Sequence, residues 1–273
     1  MIEKLKIKPK EFQLFKEYIY HNIGISLSEQ KVSLVETRLS KRLKKLNLTS
    51  FNDYYNHVKN DKSNQEILYL IDAISTNVTS FFREAPQWEF LSNNLENILS
   101  KTQNKTIRIW SAACSTGQEP YTIAIFLMEN IPNISNYNIK ILATDISQEV
   151  IQKAQKGIYT NKELESMPNY LIQKYFHKID SNNYEVSNKL KNFMLFRMFN
   201  LVYGNFSIFK NRFDLIFCRN VMIYFNSETQ IKLVSRFRKI LKTDGLLFVG
   251  HSESLTKNSN EFKLKQSSIY KAI

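Results

Sequence analysis

Along the first part of the chain apolar residues recur every three or four positions, the spacing of helices with one buried face. Phe12, Phe15, Tyr18 and Ile19 make one such stripe, which Gly24 ends. Ser26 with Glu29 predicts a capping box for a second helix, on which Val32, Val35, Leu39, Leu43 and Leu46 share a face. Its other face is basic: Arg38, Lys41, Arg42 and Lys45 fall three or four residues apart, a cationic stripe turned away from the core. Ser50 with Asp53, and Ser63 with Glu66, predict two further short helices, the last carrying Ile67, Leu70, Ile71 and Ile74. A small helical bundle therefore extends to about Ser75.

After a helix around Trp88–Leu99 the period changes. Short apolar runs predict strands over Thr106–Trp110, Ile139–Thr144, Met194–Asn200, Phe213–Cys218 and Leu246–Val249. Amphipathic helices fall between them, over Glu119–Ile131, Gln148–Lys156 and Ser227–Leu241, the last opened by a Ser-x-x-Gln box. Alternation of this kind predicts an α/β fold, a parallel sheet with helices on both faces. The connection from Lys156 to Met194 is too long for one crossover and contains the runs FHKI and NYEV around Ser181-Asn182-Asn183, which predicts a small antiparallel β insertion at about 174–193. The tail EFKLKQSSIYKAI reads as a closing, hairpin-like strand. The organisation expected is a helical domain at 1–75, a linker at 76–92 and an α/β domain at 93–273.

Composition narrows the function classes. Hydrophobic residues make up 43% of the 273 and charged residues 23%, as in a folded globular protein. No apolar run approaches the roughly 20 residues that cross a bilayer, and Met1–Lys10 lacks the apolar core of a signal peptide, so a cytoplasmic protein without membrane insertion is expected, monomeric by default. Cys114 and Cys218 form no CxxC or Cys/His cluster, and His21, His57, His177 and His251 show no metal spacing. Both cysteines are expected reduced and buried, with no metal. The net charge of +13 favours a polyanionic partner, although much of it is lysine scattered through an asparagine- and isoleucine-rich chain.

Candidate chemistry starts at the strand-loop-helix IRIWSAACSTGQEPYTIAIFL, Ile107 to Leu127, followed by the strand IKILATD ending in Asp145. A small-residue loop between strand and helix, with an acid at the tip of the next strand, is how Rossmann-like enzymes hold a nucleoside-bearing cofactor. Asp145 is placed for the ribose hydroxyls or to cap the helix near Ser147. Asn200-Leu201 after the third strand and Arg219-Asn220 after the fourth fall at the same edge of the sheet.

A second constellation, STNVTSFFREAPQW from Ser75 to Trp88, carries two phenylalanines and an arginine that composition alone would assign to core and solvent. Taken together, TNVTSFFRE, WSAACSTGQEPYTIA, ATDIS, FDLIFCRNVMIYF and DGLLFVGHSES closely resemble the chemotaxis receptor methyltransferases of the CheR family, in order and over essentially the whole chain. The resemblance implies a Rossmann-like class I methyltransferase sheet. It implies an enzyme that uses S-adenosylmethionine, releasing S-adenosylhomocysteine, to esterify glutamate side chains on the cytoplasmic helical domain of chemoreceptors. By motif, Asn77, Thr79 and Arg83 resemble linker residues reaching over the cofactor, with Arg83 near its carboxylate; Glu119 resembles the group that takes its ammonium. Asp145 resembles the ribose acid, Asn200 and Leu201 the adenine contacts, and Arg219 with Asn220 the fourth-strand contacts. Tyr224 resembles the hydroxyl facing methyl transfer, a catalytic role shared with Arg83. The basic stripe of Arg38, Lys41, Arg42 and Lys45 corresponds to the helix with which family members recognise receptors.

In some family members the β insertion docks a receptor peptide by strand addition, but Asp180-Ser181-Asn182-Asn183 lacks the glycines expected of tethering members. The alternative reading is a nucleic-acid or other small-acceptor methyltransferase. CRNVMIYF lacks the prolines of a base-holding motif after the fourth strand, so no nucleic-acid partner is expected.

Overall fold

A computed structural model of the chain describes residues 5–63, 65–75, 77–255 and 261–273. Residues 1–4 and 64 of the expected helical domain, and Thr76 at the head of the expected linker, lie outside these. The chain divides into two compact units, Met1–Thr76 with Tyr224–Thr229, and Asn77–Ile223 with Gln230–Ile273.

The first unit is helical: α1 (Pro9–Ile23), α2 (Val32–Lys45), α3 (Phe51–Asn60) and α4 (Gln65–Ile74). Gly24 closes α1 at φ 81°, where its N–H reaches the Tyr20 carbonyl. The core is built from the predicted stripes, with Phe12, Phe15 and Ile19 of α1 packed into it and Val35, Leu39 and Leu43 of α2 buried. The Ser26–Glu29 box does not form. Glu29 accepts instead from Lys16 and Gln13 of α1, and a 3₁₀ turn, Glu29–Lys31, precedes α2. The Ser50 cap does form, accepting from the Asp53 N–H at 3.1 Å. Within this unit the Tyr224 carbonyl accepts from the Ser26 N–H at 2.8 Å, and the Asn226 amide donates to the Tyr20 hydroxyl at 3.0 Å.

The second unit opens with α5 (Ala85–Ser100) and continues through β1 (Thr106–Ser111), α6 (Gln118–Asn130), β2 (Asn138–Asp145) and α7 (Gln148–Lys156). The insertion follows as β3 (Ile158–Thr160), α8 (Asn161–Leu164), α9 (Asn169–Tyr175), β4 (Phe176–Lys178), β5 (Asn183–Val186) and α10 (Asn188–Lys191). The chain ends with β6 (Met194–Met198), β7 (Phe213–Cys218), α11 (Ser227–Ile240), β8 (Leu241–Val249), β9 (Phe262–Gln266) and β10 (Ile269–Ala272). The main sheet has the order β6-β2-β1-β7-β8-β10-β9, with β6, β2, β1, β7 and β8 parallel and β10 antiparallel to both neighbours. The insertion is a separate antiparallel sheet, β3-β5-β4. It starts earlier than the sequence predicted, because Ile158–Thr160 pairs with β5 across a long gap in sequence that local pattern does not register. The Ser-x-x-Gln box is also displaced: Asn226 caps α11 by accepting from the Thr229 N–H, while Gln230 donates to the Met222 carbonyl.

Two aromatic assemblies fix the loops at the carboxyl edge of this sheet. Trp110 of β1 is fully buried against Phe199, Phe206, Phe209, Phe213 and Phe237, and its indole N–H reaches Thr144 at 2.9 Å, which anchors the segment after β6. Phe81 packs edge-on against Tyr159 and Phe176 of the insertion, while Trp88 stacks on Phe217 of β7. Among the described residues no helix is long and apolar enough to cross a membrane.

Candidate functional site

The order of the sheet reverses at β1, whose neighbours β2 and β7 lead away in opposite directions. Open α/β sheets bind ligands at the carboxyl ends of the strands flanking such a point. The loop after β1 turns through Ser115 (φ 47°) and Gly117 (φ 97°) into α6. Gly117 is required there: a Cβ would stand 2.7 Å from the Tyr159 hydroxyl, which itself donates to the Thr116 carbonyl.

The small-residue loop was expected to bring backbone N–H groups to a ligand, and at four positions it uses them internally. Ala112 donates to the Phe217 carbonyl, Cys114 to Thr144, Gly117 to Cys114, and Ser115 to the Asp145 carboxylate at 2.9 Å. Phosphate-binding loops leave such groups open to the anion. This loop instead uses one of them to orient an acid. Asp145 is held by the Ser115 N–H on one oxygen and the Ser147 N–H on the other, 3.1 Å away. The cap of α7 is Ser147, which accepts from Val150. The Ser115 hydroxyl donates to the Asn77 carbonyl at 2.9 Å, tying the expected linker to the same loop.

The same edge of the sheet carries a buried ion cluster. The Arg219 guanidinium, 2% exposed, meets Glu119 at 3.1 Å and Glu84 at 3.2 Å, each carboxylate side chain being 10% exposed. It also donates to the Arg83 carbonyl at 2.5 Å and lies over the Trp88 ring, 5.9 Å from its centroid. Glu119 accepts the Ser111 hydroxyl at 2.6 Å. Burial pushes the Glu119 carboxyl above the ordinary carboxylate range, and Arg219 and Ser111 pull it back only in part. Burial likewise pushes both thiols, Cys114 and Cys218, well up, so both are held as protonated, inert groups.

The expected residues are thus gathered unequally. Glu119, Arg219, Asn220 and the Arg83 backbone meet in one cluster, and Asn77 and Asp145 meet through Ser115. The Arg83 side chain turns back to the Val78 carbonyl at 3.1 Å, and Thr79 is half-buried in the same irregular segment. Asn200 organises its own turn, accepting from the Val202 and Tyr203 N–H groups, with Leu201 buried beside it. Arg219 is enclosed by protein partners, Glu84, Glu119 and the Arg83 carbonyl. Tyr224 is half-buried in the first unit.

The basic stripe of α2 is not uniformly turned to solvent. Arg38 donates to the carbonyls of Ala73, Ile74 and Ser75. Arg42 forms a two-point pair with buried Glu66, at 2.7 and 2.6 Å, and lies 3.8 Å over the Tyr69 ring. Only Lys41 and Lys45 of the four are exposed. An arginine one turn along a basic face reads as solvated unless its acidic partner on another helix is known.

Two acids were missed. Glu84 receives Arg219, Asn220 and the His251 N–H. Glu253 gathers the N–H groups of Asn220, Gly250 and Ile223, shaping the loops after β7 and β8. Neither has a spacing signal, since their partners lie 30 or more residues away in sequence, apart from Gly250. Among the described residues no group of three or more His, Cys, Asp or Glu is arranged to hold a metal.

Residues 77–271 match the family described as CheR methyltransferase, SAM binding domain, and residues 10–75 the CheR methyltransferase all-alpha domain. The chain is 42% identical over 262 residues to a chemotaxis protein methyltransferase of Borreliella burgdorferi, covering 94% of this chain and 92% of that protein. It is 38% identical to chemotaxis protein methyltransferase 2 of Pseudomonas aeruginosa, covering 96% and 92%, and 36% identical to the chemotaxis protein methyltransferase of Escherichia coli, covering 99% and 93%.

Proposed function

Since the chain belongs to the CheR family of S-adenosylmethionine-dependent chemotaxis methyltransferases, we propose that it esterifies glutamate carboxylates on the cytoplasmic helices of chemoreceptors. The observation that carries the cofactor assignment is the charge of the site. A buried pair of carboxylates shares one guanidinium at the same edge of the sheet as a fixed acid at the tip of β2, which suits a ligand bearing an ammonium, a sulfonium and a ribose diol.

When bound, S-adenosylmethionine supplies the methyl group on its sulfonium. Glu119 holds the ammonium, and Arg219 orients Glu119. Asp145 accepts from the ribose hydroxyls. Asn200 and Leu201 border the adenine, and Asn77, Thr79 and Asn220 line the remaining contacts. A glutamate acceptor, with an ordinary pKa of about 4.3, is ionised at neutral pH and attacks without a general base. The residues therefore have to align it and exclude water. Arg83 and Tyr224 are assigned to that alignment, and the exposed Lys41 and Lys45 of α2 to the acidic receptor surface. The chain acts as a monomer within the cytoplasm in this reading.

The test is transfer of labelled methyl from S-adenosylmethionine to membranes carrying the receptors of the same organism, followed by alkaline release of methanol. Base-labile label on receptor glutamates is expected; cofactor binding with no such label overturns the acceptor assignment. In the same assay Tyr224→Phe and Arg83→Ala should each lower kcat more than they weaken cofactor binding, and unchanged turnover would remove that residue from the alignment.

A further inference from the structure

Arg219 places one positive charge between two buried negative ones, so the cluster carries a single negative charge in excess. A buried charge without a partner is strongly unfavourable, and Glu84 is the residue that creates the imbalance. Its backbone is held in the left-handed region at φ 64° and ψ 63°, two residues after Phe82 at φ 51°. A glutamate adopts that conformation only where its surroundings over-determine it, and such positions cluster at functional sites. Here the determinants are donors to one carboxylate: Arg219 Nε at 3.3 Å, the Asn220 amide at 3.3 Å and the His251 N–H at 3.1 Å. The His251 ring stands 3.7 Å away on the exposed side, so water screens it. The Glu84 charge also helps to push the Glu119 carboxyl up.

We propose that Glu84 sets ligand selectivity by dividing Arg219 between two acids, so that Glu119 is left short of positive charge and draws it from the α-ammonium of the cofactor. This rests on the methyltransferase reading of the site. With Glu84 neutral, Arg219 pairs with Glu119 alone and the ligand ammonium loses its counter-charge. Glu84 is a positioning residue, since it reaches the ligand only through Arg219 and Glu119. A purely structural Glu84, stapling the segment before α5, would weaken every ligand alike.

Calorimetric binding to the full chain separates the two. The ligands are S-adenosylhomocysteine and its desamino analogue, in which hydrogen replaces the α-ammonium. Wild type should prefer S-adenosylhomocysteine by roughly tenfold to a hundredfold, the size of a charge-assisted hydrogen bond. In Glu84→Gln that preference should shrink by about tenfold, through weaker binding of S-adenosylhomocysteine with the analogue unchanged. Glu84→Asp should restore most of it, and Glu84→Ala replaces Glu84→Gln if thermal melting shows that the latter does not fold. An unchanged preference, or equal loss for both ligands, overturns the inference. Failure of wild type to bind S-adenosylhomocysteine overturns the methyltransferase reading itself.

Discussion

At the scale of single residues, Glu119 makes the site's chemistry measurable. Its carboxyl sits above its ordinary value because burial outweighs Arg219 and Ser111, with Glu84 adding to the rise. Between the ordinary and the raised value the folded state binds more protons than the unfolded one. The contribution of Glu119 to stability without ligand is therefore fully present below the ordinary value and falls as pH rises through that window. If the ligand ammonium binds Glu119 as proposed, it supplies the missing charge, and the stabilisation by S-adenosylhomocysteine should grow as pH rises above about 4.3. Melting temperatures with and without ligand across that range test this, and a ligand shift independent of pH would sink it. The residues of this cluster were partly legible. Asp145 and Arg219 sit at strand tips, where topology says a ligand goes, and Glu119, in the first turn of α6, was singled out only by the family resemblance, whereas Glu84 and Glu253 bind partners brought near only by the finished fold.

At the scale of elements, α2 shows what periodicity can and cannot convey. Val35, Leu39 and Leu43 occupy the buried face that their spacing predicted. The opposite face divides by chemistry: Arg42 closes a buried pair with Glu66 and stacks on Tyr69, while Lys41 and Lys45 remain exposed. Removing one partner of a buried pair typically costs about 3–5 kcal/mol, and exposed substitutions stay within about 0.5 kcal/mol. Arg42→Ala should therefore lower the urea midpoint markedly. Lys41→Glu with Lys45→Glu should leave it in place and raise KM for receptor membranes. If the lysine pair instead unfolds the protein, or leaves KM unchanged, the division is wrong. The same reasoning covers the caps: Ser50 was readable because its partner is three residues on, whereas the Ser26–Glu29 pair lost Glu29 to side chains of α1.

At the scale of the whole molecule, the order of elements was legible because helix and strand periods differ, and the strand order follows the doubly wound connectivity that such an alternation dictates. The insertion was legible only in part, since β3 is three residues long and pairs with a strand 23 or more positions away. What neither period nor motif determines is how the net charge of +13 is used. Charge spread over lysines acts on encounter, with little effect inside a buried site, and salt distinguishes the two because exposed charges are screened within about 10 Å at 0.1 M and about 3 Å at 1 M. Raising salt should lower kcat/KM for receptor-bearing membranes severalfold while leaving the affinity for S-adenosylhomocysteine nearly constant, because the Glu84–Arg219–Glu119 cluster lies out of reach of the ions. Equal salt dependence of both quantities would mean that the buried cluster is open to solvent. Salt independence of both would mean that the excess lysines play no part in docking.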